Sequence, residues 1–107
     1  TLSAVAAVTE KVALGTLVTP VGFRNPALLA KMAATLDNIS NGRLIVGVGS
    51  GWFESEFEGY GYEFPSVRQR LEELDEAVRL MKHMWTESQV TFEGNHFHTD
   101  AVFCEPK

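Results

Sequence analysis

The sequence is poor in cysteine: Cys104 is the only one in 107 residues. No internal disulfide can form, and a lone thiol fits a reducing compartment, so a cytoplasmic location is expected. Basic charge is also scarce. Nine Lys and Arg stand against fourteen Asp and Glu, a formal net charge of −5. That balance argues against a nucleic-acid partner, which demands a basic stripe. No apolar run reaches the ~18 residues of a membrane span. No charged segment precedes an apolar core, as it would in a secretory signal. No internal repeat and no low-complexity tract is visible.

Recognisable catalytic constellations are missing too. No Ser-His-Asp set and no pair of carboxylates stands out, and nothing in the sequence marks Cys104 as activated. A buried or idle thiol is the default for such a cysteine. His96 and His98 would share one strand face, but two imidazoles without a third ligand make a weak metal signal, and no metal is expected. His83 falls in a long helix, where packing or solvent exposure accounts for it.

What is present centres on Arg43-Leu44-Ile45-Val46-Gly47-Val48-Gly49-Ser50-Gly51-Trp52. The stretch opens as an unbroken apolar strand, as in parallel sheets covered on both faces. It closes in small residues, which let a ligand or another backbone come close. Ligands of α/β folds collect at that end of a strand. The run resembles a dinucleotide fingerprint only in part. The third small residue is replaced by Trp52 and no helix starts there, which disfavours a Rossmann site. Backbone N–H groups of Ser50 and Gly51 suit an anion-binding turn; a tight turn without a ligand is the alternative.

The rest of the chain leads into this stretch. Leu2, Val5 and Ala6 fall at helical spacing within Thr1–Val8, which reads as the tail of a helix. Val12–Thr19 is an apolar strand, with Gly15 hinting at a bulge and Pro20 expected to end it. Asn25-Pro26 starts a helix, Asn as cap and Pro at the first position. Leu29, Met32, Ala33, Leu36 and Ile39 mark its apolar face to about Ser40. Asn41-Gly42 stops it. Strand, helix and strand with short loops predict one βαβ unit with parallel strands. Arg24, between strand and helix, invites either an anion or a structural pairing with an acid such as Asp37, and the pairing is favoured.

Residues 52–65 carry six aromatics interleaved with Glu54, Glu56, Glu58 and Glu63, and predict a loop folded as a lid over the sheet end. The glutamates there are read as solubilising. A helix follows from about Ser66 to Thr86, its stripe Leu71, Leu74, Val78, Met81 and Trp85. Glu72, Glu73, Glu76, Arg79 and Lys82 read as its solvated face, with Glu76 meeting Arg79. Val90–His98 predicts a small antiparallel hairpin turning at Glu93-Gly94-Asn95 and returning at Phe97. The final Glu105-Pro106-Lys107 reads as part of a loop. Together the ends lead us to expect a piece of a larger domain.

Several of these segments, taken in order, resemble the luciferase-like monooxygenase superfamily. They are Leu14–Pro20, Phe23–Lys31, Leu36-Asp37-x-x-Ser40-x-Gly42-Arg43, Gly47–Trp52, Glu56–Pro65, Arg70-Leu71-x-Glu73 and Phe92-Glu93-Gly94. Within it the chain is most similar to the F420-dependent oxidoreductases. The resemblance implies a fragment of a (β/α)8 TIM barrel, about strands three and four with their helices and the start of an insertion hairpin. Residues 1–107 would then be the central part of a single barrel domain, since a barrel needs ~250 residues. It also implies a bulge in the third strand, often with a non-prolyl cis peptide, pressing behind the cofactor ring. Cofactor contacts implied are Thr16, Leu17, Val18, Gly49, Ser50, Gly51 and Trp52. Trp52 stands where some relatives carry a catalytic acid, so the catalytic residues are left unassigned. The activity implied is hydride transfer between coenzyme F420 and a small-molecule substrate, by a parent protein that is a homodimer. An FMN-dependent monooxygenase and a non-catalytic flavin-binding barrel are the alternatives.

Overall fold

The structure, a computed structural model, describes all of residues 1–107. Its elements run α1 (Leu2–Val8), β1 (Leu14–Gly15), β2 (Thr19–Pro20), a 3-10 turn (Val21–Phe23) and α2 (Pro26–Ser40). Then come β3 (Leu44–Ile45), β4 (Val48–Gly49), α3 (Glu54–Gly59), α4 (Val67–Thr86), β5 (Val90–Glu93) and β6 (His98–Val102). No helix is long and apolar enough to cross a membrane.

The two expected strands pair in parallel, but each is broken in two. Leu14 faces Leu44 and Gly15 faces Ile45. Further on, Thr19 faces Val48 and Pro20 faces Gly49. Three residues, Thr16, Leu17 and Val18, therefore oppose two, Val46 and Gly47. This is a bulge, one residue beyond the Gly15 that hinted at it. The Leu17–Val18 peptide within it is cis. Pro20 ends the strand as expected: it is the last residue of β2, where a missing N–H costs the ladder least, and the 3-10 turn follows at once.

The Asn25-Pro26 signal forms as read. Asn25 Oδ1 accepts the N–H groups of Ala27 at 2.9 Å and Leu28 at 3.3 Å, two of the donors a helix start leaves free. At the other end Asn41 (φ 56°) and Gly42 (φ 77°) are both left-handed. Ala30 and Ala34 of α2 pack with Leu80, Met81 and Met84 of α4 in the main core, and Trp85 Nε1 donates to the Ala30 carbonyl at 3.0 Å. Met32 and Ile39, expected on the apolar face, are exposed. The face that packs is shifted toward the alanines, which let α4 approach closely.

The motif Asp37-x-x-Ser40-x-Gly42-Arg43 locks the amino end of β3. Asp37 Oδ1 accepts the Leu44 N–H at 3.1 Å. Ser40, buried, donates to the Asp37 carbonyl and accepts the Arg43 N–H. The Arg43 guanidinium donates to carbonyls of Ala6, Thr9, Val12 and Ser40 and to the Thr9 hydroxyl, tying α1 to the sheet. Asp37 is thereby engaged by the backbone, and the expected Arg24–Asp37 pair does not form. Arg24 is exposed and has no side-chain partner.

Ser66 caps α4 through the Gln69 N–H. The buried face of α4 is rotated from the expected stripe. Leu71 is exposed, whereas Arg70, Glu76, Ala77, Leu80, Met81 and Met84 are buried. Arg79 pairs with Asp75 at 2.9 Å, not with Glu76. Glu76, read as solvated, is only 4% exposed, because the hairpin β5–β6 lies across it. That hairpin is antiparallel, with Glu93 facing His98 and Phe92 facing Thr99. Its return strand starts at His98, one residue later than expected.

Candidate functional site

Both parallel segments end at the same edge of the molecule. There Leu17, Val18, Gly49, Ser50, Gly51 and Trp52, with Pro20, Phe23 and Glu56, line an open cleft of about 420 Å³. Six of the seven residues that the resemblance implies as cofactor contacts thus line one cleft. Leu17 is fully exposed and Trp52 is 85% exposed, and Trp52 stacks against Phe53 with ring centroids 5.3 Å apart. The cleft therefore presents flat apolar surface beside the polar turn at Ser50.

Thr16, the seventh, lies elsewhere. Its hydroxyl donates to the Gly47 carbonyl at 2.7 Å and accepts the Gly47 N–H at 3.2 Å. The side chain bridges the two strands where the bulge interrupts their ladder, and holds Leu17 and Val18 in register with the turn. A Cβ on Gly47 would fall 2.0 Å from the Thr16 carbonyl oxygen, so only glycine admits this approach.

The small residues of the turn serve packing within the chain. Gly51 has φ 79°, and a Cβ there would meet the Phe57 ring at 2.5 Å. Phe57 is 2% exposed. It stands on α3, an element the loop reading of residues 52–65 missed. The aromatics of this segment do gather over the sheet end: Phe57 packs on Phe23 at 4.3 Å and on Phe64 at 5.1 Å, and Tyr62 on Phe23 at 5.0 Å. The interleaved glutamates point to solvent, and Glu56 alone among them lines the cleft.

Arg70 anchors this turn, a role with no local signal in the sequence. Its Nη1 donates to the Gly51 carbonyl at 2.6 Å and its Nε to the Pro65 carbonyl at 3.1 Å. The guanidinium lies 3.9 Å from the centre of the Phe64 ring, a favourable cation–π distance.

A second, more polar cleft of about 520 Å³ adjoins the first through Ser50 and Phe23. The hairpin tip forms one wall of it with Asn95, His96 and Phe97. The tip is held from α4. Glu76 Oε1 accepts the Asn95 N–H at 2.8 Å, and Oε2 accepts those of His96 at 2.9 Å and Phe97 at 3.1 Å. Burial pushes the Glu76 carboxyl upward, but these three donors and the His96 ring outweigh it and hold the group below its ordinary value. Glu72 is also held low, by its bond to Arg68 and then by that to His96. The His96 ring sits 3.4 Å from Glu72 and 3.9 Å from Glu73, while His98 is exposed.

Comparison with known proteins supplies the family. The pattern described as luciferase-like monooxygenase matches residues 1–107. The chain is 44% identical over 106 residues to the F420-dependent glucose-6-phosphate dehydrogenase of Kineococcus radiotolerans, covering 96% of this chain and 31% of that protein. It is 35% identical over 82 residues to the FMNH(2)-dependent dimethylsulfone monooxygenase of Pseudomonas fluorescens, covering 77% and 22%. A solved structure of an F420-dependent secondary alcohol dehydrogenase, in complex with an F420-acetone adduct, matches with a TM-score of 0.85 at 36% identity. That match covers 97% of this chain and 32% of the other. The chain thus spans no more than about a third of the length of these relatives. Matched from its first residue to its last, it belongs to the luciferase-like monooxygenase family.

Proposed function

We propose that residues 1–107 supply one wall of the coenzyme F420 site in an oxidoreductase acting on a small organic substrate. The observation that carries this reading is the cleft where the Leu17–Val18 bulge meets the Gly49–Trp52 turn, in a chain whose relatives include F420-dependent dehydrogenases at 36–44% identity. The segment would be the central part of a (β/α)8 barrel, its parallel pair forming the third and fourth strands. Ligands of such barrels sit at the carboxyl ends of the strands, which is where this cleft lies.

The residues present fit the cofactor. Leu17 and Val18 offer an apolar backing for a flat ring, and Trp52 offers an exposed face beside it. When bound, the deazaflavin supplies hydride chemistry, and the protein supplies position and electrostatics. The role of Thr16 is to hold the bulge; Leu17, Val18, Gly49, Ser50, Gly51 and Trp52 make the contacts. The Trp52 indole cannot exchange the reaction's proton, so that proton belongs to a group outside this turn. FMN is the alternative cofactor, favoured by the similarity to the FMNH(2)-dependent monooxygenase.

The test is a titration of the intact protein with F420 and with FMN, followed by ligand fluorescence. Saturable binding of F420, weaker binding of FMN and a loss of about tenfold or more in Trp52→Ala are expected, as for removal of an aromatic anchor. Preference for FMN would transfer the reading to a flavin monooxygenase. Binding of neither would end it.

A further inference from the structure

We infer a charge-dependent clasp between the β5–β6 hairpin tip and α4, in which the His96 ring grips Glu72 and Glu73 when both its nitrogens are protonated and loosens when one proton is lost. Asn95, His96 and Phe97 of the tip form a wall of the polar cleft, so the clasp sets how firmly that wall is held.

The two ring nitrogens face two different carboxylates. Nε2 lies 3.4 Å from Glu72 Oε2, and Nδ1 lies 3.9 Å from Glu73 Oε1. An ionised carboxylate only accepts, and a neutral imidazole carries a single N–H. A neutral ring in this place turns one lone pair toward a carboxylate. The imidazolium alone presents an N–H to each. Neither acid is closed to the ring by its other partner. Glu72 receives Arg68 on Oε1 and leaves Oε2 to the ring. Glu73 Oε1 accepts the Gln69 amide at 2.9 Å, a neutral donor that leaves its charge in place. Glu76, on the same side of α4, holds the backbone N–H groups of the tip with both oxygens. Three carboxylates of one helix thus act on one ring, with Arg68 bonded to the first of them. Arg24, Arg70 and Glu63 line the same cleft, and Glu93 and His98 flank the tip within the hairpin.

The two holds on the tip respond to pH in opposite directions. Glu76 lets go on the acid side, as its carboxylate is protonated below the ordinary value. An imidazole changes charge between about pH 5 and 8. The His96 clasp is therefore complete at the acid end of that range and is lost as pH rises through it. The tip is held best between the two.

The inference stands apart from the identity of the redox cofactor. Amide exchange at Asn95, His96 and Phe97 is followed on the intact protein from about pH 5.5 to about pH 8, across the imidazole range, and referred to intrinsic exchange at each pH. The His96 side chain is 20% exposed and that of Glu72 45%, so the pair is partly screened. Protection is expected to fall by about two- to fivefold over that rise, the size of a partly exposed ion pair. His96→Gln keeps a hydrogen-bonding side chain without the proton switch and should make protection flat over the range. Glu72→Gln combined with Glu73→Gln should flatten it with His96 still present. His83 and His98 remain in both variants, so a pH dependence that survives in either belongs to another group and overturns the proposal. Protection in the parent protein that stays constant or rises over the range overturns it as well.

Discussion

The Thr16 hydroxyl both donates to and accepts from the Gly47 backbone, replacing a ladder bond across the bulge that separates β1–β3 from β2–β4. This single side chain keeps two short parallel ladders in one sheet while Leu17 and Val18 swing out to the cleft. Thr16→Val should leave the Gly47 N–H without a partner, since the Gly47 carbonyl still receives the Thr19 N–H at 2.9 Å. The cost is about 1–3 kcal/mol for an unsatisfied backbone donor. Equilibrium unfolding of the intact protein measures it, and Thr16→Ser should recover most of the loss. Equal stability in all three proteins would show that the bridge is dispensable.

Glu76 gives a pH-dependent prediction. Its folded carboxyl lies below the ordinary value of 4.5. The stability it contributes is therefore fully present above that value and is lost as pH falls through the lower, folded one. The hairpin tip should loosen in that acidic window. Glu76→Gln replaces a charged acceptor by a neutral one that also carries donors, and should cost about 2 kcal/mol. Amide exchange at Asn95, His96 and Phe97 is the readout. Their protection, taken relative to intrinsic exchange at each pH, should fall at low pH in the parent protein and be low already at neutral pH in the variant.

From the sequence, Gly51 is expected where a ligand needs close approach to backbone. The structure gives a nearer reason, the Phe57 ring 2.5 Å from where a Cβ would sit. Gly51→Ala should destabilise by roughly 2–4 kcal/mol, from the left-handed backbone and from displacement of a buried ring. The near-ultraviolet signal of the Phe23–Phe57–Phe64 cluster should change with it. An unperturbed cluster and full stability would mean that Phe57 moves aside freely.

What the sequence made legible was mainly local. Asn25-Pro26 and Asn41-Gly42 delimit a helix by chemistry within four residues, and the parallel pairing follows from the short connections around it. The position of the cis peptide and the gathering of six cleft residues came from the resemblance, not from spacing. The roles that stayed hidden belong to side chains whose partners are distant in the chain. Glu76 bonds a hairpin tip about twenty residues away, and Arg70 bonds Gly51 nineteen residues back. Both look like ordinary polar positions on a helix, and only the fold brings acceptor and donor together. Helix α3 was hidden for another reason: its Glu-rich sequence has one buried residue, Phe57, too few for a periodic signal.

Isolated residues 1–107 should behave poorly. Leu17, Ile45, Trp52 and Phe53 are exposed along the sheet and its end, and Leu28, Met32 and Ile39 along α2. Apolar surface left open in this way favours association, and β1–β4 offer open edges that a closed barrel would remove. Sedimentation and thermal melting of the 107-residue chain should show self-association or a broad transition. A monodisperse monomer with a sharp melt would mean that this segment is a complete domain, against the barrel proposal.

The central claim is that the bulge and the turn form the cofactor wall. Hydrogen exchange read by mass spectrometry on the intact protein, with and without F420, tests it most directly. Slowed exchange in peptides spanning Thr16–Val18 and Gly49–Trp52 on loading is the result predicted. Saturating F420 with exchange unchanged in both segments, and protection only elsewhere in the protein, would contradict it.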